Sequence, residues 1–371
     1  MTPDRYIGLI SGTSMDGIDA AVVGFSGDRP ELVGAETIPY TDSLRAQLDE
    51  LRADPDAFPA ARLARLDTEV GDAFATAANE LLAATGLRSG DVRAIGSHGQ
   101  TVLHRADADP PHTLQIGDPN RIAAATGIDA VADFRRADVA AGGQGAPLAP
   151  LLHSALLGSA GETRIVVNLG GIANVTVLEG NRVTAGFDTG PANCFLDVWY
   201  RVHHRDRFDA GGAWAASGCV DETLLEQLMT DDYFSRRPPK STGIEYFSPG
   251  WLRERLPDDA AARATDVQAT LAELSAATLV DAIRRLGTAR PGRILLCGGG
   301  VANDDLVARI RRRLGDTPIH ATAAYGIDPN FVEATLFAWL AREFLAGRAV
   351  DTPPVTGAAR PVRLGALWPA A

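Results

Sequence analysis

Residues 10–20, "ISGTSMDGIDA", decide how the rest of the chain is read. Gly12 and Gly17 have the spacing of a phosphate-binding loop, G-x-x-x-x-G followed by Lys and Ser/Thr. Ile18 and Asp19 stand where the lysine and hydroxyl belong. A turn of this shape can still wrap a phosphate with backbone N–H groups, but it has lost its cation and gained a carboxylate, Asp16. It joins two apolar runs, "RYIGLISG" and "IDAAVVGF", which predicts a hairpin, and "ELVGAETI" extends it as a third strand. The pattern returns in the second half. "TRIVVNLGGIANVTVLEG" is again strand, glycine turn and strand, and "RVTAGFDTG" follows as a third strand.

Other elements fill in around these two meanders. Residues 59–85 have helical spacing and stop at Gly86, a C-cap signal. "VRAIGSH" and "DAVADF" read as buried strands with a short helix near 119–126 between them. "GGQGAPLAP", 142–150, is the strongest internal punctuation and lies near a predicted domain boundary. Helices are predicted at about 193–203 and 266–287. "RILLCGGGVANDDLVARIRRRL" reads as a strand, three glycines and a helix, and 330–346 as a long amphipathic helix. Two α/β halves that each open on a phosphate-sized turn predict two similar domains with a cleft between them.

At 371 residues the chain exceeds the usual size of one core, which agrees with two domains. A hydrophobic content of 46%, a formal charge of −12 and a pI near 5.1 describe a soluble acidic protein and argue against nucleic acid or an anionic membrane as partner. No apolar run reaches 18 residues and the N-terminus lacks a signal pattern, so a cytoplasmic protein is expected. Cys194, Cys219 and Cys297 are too scattered for a disulfide framework or zinc site. The 35 basic residues include one lysine, Lys240, a position where arginine fails to substitute or where the lysine survives by chance.

Several chemistries are disfavoured. "CGGGVAN" is not the dinucleotide fingerprint, and "GTSMDG" is not a nucleophile elbow because Asp16 takes the last glycine's position. "FDTG" at 187–190 would suit an aspartic protease, but no second Asp-Thr/Ser-Gly exists. His98, His104, His203 and His204 have no metal spacing.

The blocks "GLISGTSMDGIDAAVV", "GSHGQTVLH", "ADFRRADVAAGGQGAPLAP", "NLGGIANVT", "GFDTGPANCFLD", "KSTGIEYF", "LLCGGGVANDDL" and "VEATLFAWLA" run in order from residue 8 to about 342. Together they resemble the anhydro-N-acetylmuramic acid kinases, and "VTGA" near the C-terminus fits too. Asn330 and Ala149 depart from the family pattern, where an aspartate and a larger apolar residue are expected. The resemblance implies the two-domain actin-like, sugar-kinase (ribonuclease H-like) α/β fold. The expected domains are 1–132, completed by 350–371, and 133–349, with ATP in the cleft. The implied reaction converts 1,6-anhydro-N-acetylmuramic acid, ATP and water to N-acetylmuramic acid 6-phosphate and ADP in cell-wall recycling.

By motif match Gly12, Thr13, Ser14, Met15, Asp16, Gly17 and Asp19 form the first phosphate turn, and Asn168, Gly170, Gly171 and Asn174 the second. Gly298, Gly299, Gly300 and Asn303 lie at the adenosine end. Asp16 is expected to serve Mg²⁺, which prefers phosphate, water and one or two carboxylate oxygens. Asp188 is the implied general base. On the sugar side the resemblance points to His98, Gln100, Asp133, Arg135 and Glu333. Arg135 has a physical motive, since a guanidinium pairs bidentately with the lactyl carboxylate. Another sugar kinase, an ATP-gated binding module, a glycosidase and a homodimeric state remain open at this level.

Overall fold

The computed structural model describes residues 4–12, 15, 17–27, 29–238, 240–287 and 291–370. Thr13, Ser14 and Asp16 lie outside the described residues. Two compact units are present, Met1–Leu156 with Tyr325–Ala371, and Leu157–Ala324. The chain therefore divides after 156 and before 325, where 132 and 349 had been expected.

The first unit is built on β1 (Arg5–Ser11), β2 (Gly17–Ser26), β3 (Arg29–Pro39), β4 (Ala94–Arg105), β5 (His112–Ile116) and β6 (Ala130–Ala132), closed by β12 (Ala366–Trp368). Its sheet runs β12-β6-β4-β1-β2-β3, and β5 pairs with the far half of β4. The meander β1–β2–β3 is antiparallel, whereas β4 and β6 join parallel to β1. The helix Ala60–Thr85 ends at Gly86 with φ 68°, the left-handed C-cap that glycine adopts freely. With Asp42–Ala53 it covers the first core of Leu9, Ile18, Phe74, Ile95 and their neighbours.

The helix Val332–Leu345 belongs to this unit for a steric reason. A Cβ at Gly8 would collide with the Ala334 carbonyl, and one at Gly96 with that of Phe337. Gly8 and Gly96 are register partners on β1 and β4, so they form a bare strip on which the helix backbone lies. The helix is buried at nearly every position from Val332 to Ala341, not amphipathic as its spacing had suggested. This packing moves the boundary from 349 to 325. The early boundary moves because Asp138, fully buried, accepts from the Gly145 N–H at 2.7 Å and from the Thr356 hydroxyl at 2.7 Å. Those bonds tie the 142–145 loop and the "VTGA" segment into the first unit.

The second unit repeats the plan with β7 (Thr163–Leu169), β8 (Ile172–Glu179), β9 (Arg182–Pro191), β10 (Arg293–Cys297) and β11 (Ile319–Ala321), ordered β11-β10-β7-β8-β9. Again the meander is antiparallel and the last two strands are parallel. The helices Ala264–Arg285 and Asp304–Leu314 supply apolar faces to its core. A separate aromatic cluster, Phe195, Tyr233, Phe234, Phe247 and Trp251, fills the segment between β9 and the Ala264–Arg285 helix.

Candidate functional site

In the first unit the chain turns from β1 to β2 through Gly12 and Met15. Met15 is buried with φ 53°, and its N–H donates to the Gly12 carbonyl at 3.2 Å. Its side chain sits in the apolar core and its amide is used within the turn. A Cβ on Gly12 would meet nothing within 4 Å, so no described neighbour demands a glycine there. Gly17 has a local reason instead: β3 passes so close that a Cβ would press on the Ile38 carbonyl. Gln100 buttresses the turn from β4, with Nε2 donating to the Gly12 carbonyl at 3.4 Å and to that of Thr101 at 3.2 Å. Its buried Oε1 has no partner among the described residues.

Four of the expected residues converge in this unit. His98 Nδ1 lies 2.9 Å from the Gly99 carbonyl, an acceptor only, so Nδ1 carries the proton. Nε2 then presents a lone pair, and Arg135 Nε donates to it at 2.8 Å. Burial, with the guanidinium's charge adding, holds the His98 pKa well below the usual imidazole range, as an acceptor for an arginine requires. A second Arg135 nitrogen donates to the Gly145 carbonyl at 2.7 Å. His98 thus seats Arg135. Glu333, on the first turn of the Val332–Leu345 helix, makes no ion pair among the described residues. Loss of hydration pushes its carboxyl up, with Arg135 opposing and Asp19 adding. The residue nevertheless keeps solvent-exposed surface. Asp19 is also raised by burial, against the hydrogen bond from Thr37 Oγ1 at 2.6 Å. Asp133 stands apart: its backbone is left-handed (φ 63°) and its carboxylate pairs with Arg136 at 3.2 Å.

In the second unit the β7–β8 turn is held through its carbonyls. Asn193 Nδ2 donates to Leu169 O at 3.0 Å and Gly170 O at 2.8 Å, and the amides of Ala192 and Cys194 donate to Gly171 O. The carbonyls of this turn are thereby taken up within the protein. Gly298 has φ 83°, and a Cβ there would strike the Asn168 side chain, so this position requires glycine twice over. Gly300 lies equally tight against Leu169, whereas Gly299 has open space around it. Asn168, Gly170, Gly171, Gly298 and Gly300 are thereby brought together. Asn303 is largely a helix cap, its Oδ1 accepting from the Leu306 N–H at 2.9 Å. Asn174 faces Asp188 in register across β8 and β9.

Asp188 is half-buried on β9. Its Oδ2 accepts from the Thr242 N–H at 3.0 Å, its own N–H donates to the Lys240 carbonyl, and its carbonyl accepts from Tyr233 Oη at 2.8 Å. No described residue bonds Oδ1. Burial raises the carboxyl, the Thr242 amide lowers it, Glu245 raises it and Lys240 lowers it. An oriented carboxylate with one open oxygen and a raised proton affinity is a competent general base. The sequence motif "KSTGIEYF" was visible, but no spacing rule connects Tyr233, Lys240 or Thr242 with Asp188. Among the described residues no three His, Cys, Asp or Glu side chains group to hold a metal. No described helix is long and apolar enough to cross a membrane.

Comparison with known proteins fits this geometry. The family model described as anhydro-N-acetylmuramic acid kinase matches residues 4–370. Proteins of that name from Xanthomonas axonopodis pv. citri and Shewanella oneidensis are 52% and 45% identical to the chain. The first match covers 98% of each chain and the second 100% of each. A solved ROK family glucokinase from Streptomyces griseus, in complex with glucose and AMPPNP, aligns over 91% of this chain and 99% of its own. It does so at 17% identity and a TM-score of 0.40, too loose a likeness to argue from. The chain belongs to the anhydro-N-acetylmuramic acid kinase family.

Proposed function

We propose that the chain hydrolytically opens 1,6-anhydro-N-acetylmuramic acid and phosphorylates O6 from ATP, giving N-acetylmuramic acid 6-phosphate and ADP for cell-wall recycling. The family match over nearly the whole chain carries this reading. The anhydro sugar has no free 6-hydroxyl, because O6 is bonded to C1. Water attacks C1 as the C1–O6 bond breaks, and the freed O6 forms the bond to the γ-phosphorus while the β–γ bridging oxygen leaves with ADP. Asp188 Oδ1 takes the proton of the attacking water. The Thr242 amide keeps the other carboxylate oxygen fixed, so the base needs no reorganisation as charge develops.

Arg135, seated by His98, pairs with the lactyl carboxylate, and Gln100 Oε1 and Glu333 accept from sugar hydroxyls. Gly12 and Gly299, with open space around them, let the nucleotide approach the backbone, whose N–H groups, with those of Gly170, Gly171 and Gly298, meet phosphate oxygens. Asp16, with Asp19 three residues on, would hold Mg²⁺ through water; burial raises the Asp19 carboxyl. When bound, the ion neutralises phosphate charge. Dependence on ATP assigns the reaction to the cytoplasm.

The test is incubation with the anhydro sugar, with and without Mg-ATP, followed by mass spectrometry. The phosphorylated sugar should form only with ATP. Free N-acetylmuramic acid made without ATP would mean a glycosidase, and ATP turnover indifferent to sugar a binding module.

A further inference from the structure

We propose that Lys240 is a positioning residue for Asp188: its ammonium braces Tyr233 and sets the charge beside the base, a task arginine cannot perform in this seat. The proposal rests on the reading of Asp188 as the base. Lys240 is the only lysine in a chain whose other basic residues are all arginine. Its Nζ donates to the Tyr233 carbonyl at 3.1 Å and stands 4.5 Å from the centre of the same tyrosine's ring. From the far end of that ring, Tyr233 Oη donates to the Asp188 carbonyl, and the Lys240 carbonyl accepts the Asp188 N–H. Lys240 and Tyr233 therefore close a circuit around the base's peptide unit, and Thr242, two residues on, fixes its Oδ2.

The lysine-specific feature is compactness. One ammonium can sit over a ring and donate to a carbonyl of the same residue, because its donors radiate from a point. A guanidinium over the ring spreads its donors in one plane, and the space is already shared. Arg236 lies 5.7 Å from the Tyr233 ring centre, and Arg285 donates to the Phe234 carbonyl. The charged groups facing Lys240 are Arg236, Arg285 and Asp188, and those facing Asp188 are Lys240 and Glu245, with the neutral Tyr233 phenol at its backbone. Lys240 is thus the cation that offsets Glu245 at the base.

The pH profile of kcat, measured with Mg-ATP and the anhydro sugar, tests this in Lys240→Met, Lys240→Arg and Tyr233→Phe, each checked for folding by thermal melting. The acidic limb reports ionisation of the base in the ternary complex. Lys240→Met should move that limb up and lower kcat about 10-fold at neutral pH, with KM for ATP within twofold. Lys240→Arg should return the limb toward wild type yet leave kcat depressed. Tyr233→Phe should lower kcat without moving the limb, and it stands in if the methionine variant fails to fold. An unmoved limb in Lys240→Met, a loss confined to KM for ATP, or full activity in Lys240→Arg would each overturn the proposal. Asp188→Asn separates it from the reading beneath it. An active Asp188→Asn removes the base itself, whereas an inactive one beside an unmoved Lys240→Met limb removes only the role of Lys240.

Discussion

The two meanders are built alike and chemically reversed. In β1–β2–β3 the carboxylate is on the middle strand, Asp19, in register with Thr37 on the third. In β7–β8–β9 the middle strand carries Asn174 and the third carries the carboxylate, Asp188. Burial raises both carboxyls, but different neighbours hold them. The hydroxyl of Thr37 binds Asp19 within the sheet, whereas Asp188 is held by Thr242, 54 residues away in sequence. The repeated sheet supplies a position for a carboxylate at the end of a glycine hairpin. The segment between Asn193–His203 and Ala264–Arg285 supplies the second copy's carboxylate with that partner.

The largest effect should come from Asp188→Asn, which keeps the shape and the Thr242 bond but cannot take a proton. Turnover should fall about 10²–10⁴-fold with ATP and sugar binding little changed, as measured by single-turnover kinetics and calorimetry. Stability should move the other way. A carboxyl raised by folding is penalised in its ionised form, and the penalty is fully present above the folded pKa and gone below the unfolded one. At neutral pH, well above a normal carboxylate pKa, the asparagine variant should melt no lower than wild type. A clearly lower melting temperature would make Asp188 structural.

Gly96→Ala probes the difference in how the sheets are covered. The β7 and β10 interiors carry side chains throughout, whereas Gly8 and Gly96 clear a path for the Val332–Leu345 helix. Pushing that helix off should cost about 1–3 kcal/mol by denaturant titration and shift Glu333, so KM for sugar should rise too. Unchanged stability would mean that the helix tolerates the methyl.

His98→Ala removes the acceptor that aims Arg135. KM for the sugar should rise roughly 5–30-fold, the equivalent of about 1–2 kcal/mol for a charge-assisted bond, with kcat less affected. With His98 held neutral far below its normal range, wild-type KM should show no histidine titration between pH 5.5 and about 8. A break near the ordinary imidazole pKa would contradict the assigned tautomer. Smallest of all, Thr37→Val should only loosen Asp19, raising the Mg²⁺ needed for half-maximal rate a few-fold. A collapse in kcat would erase the contrast between the two carboxylates.

Much of this was legible in the residues. The two meanders, the Gly86 cap, the 119–126 helix and the glycine-rich strand ends follow from local rules acting on local sequence. The domain boundaries were not, because they depend on contacts between distant segments: Asp138 with Thr356, and Gly8 and Gly96 with a helix more than two hundred residues away. The site divided the same way. Glycines and Asp188 stood out as motifs, yet the choice of Oδ1 as the open oxygen comes from Thr242, and the aim of Arg135 from the tautomer of His98. Asn303 and Met15 matched the motif, but their hydrogen bonds and burial give them structural work.

Where the oxygen of water goes tests the central claim most directly. Turnover in ¹⁸O-water, sampled early by mass spectrometry and NMR, should put the label on C1 and none in the phosphate ester. Because the anhydro bridge occupies the β face, attack from the opposite side should release the α-anomer before mutarotation. Label in the phosphate group, or an initial β-anomer, would contradict single displacement by water with Asp188 as its base.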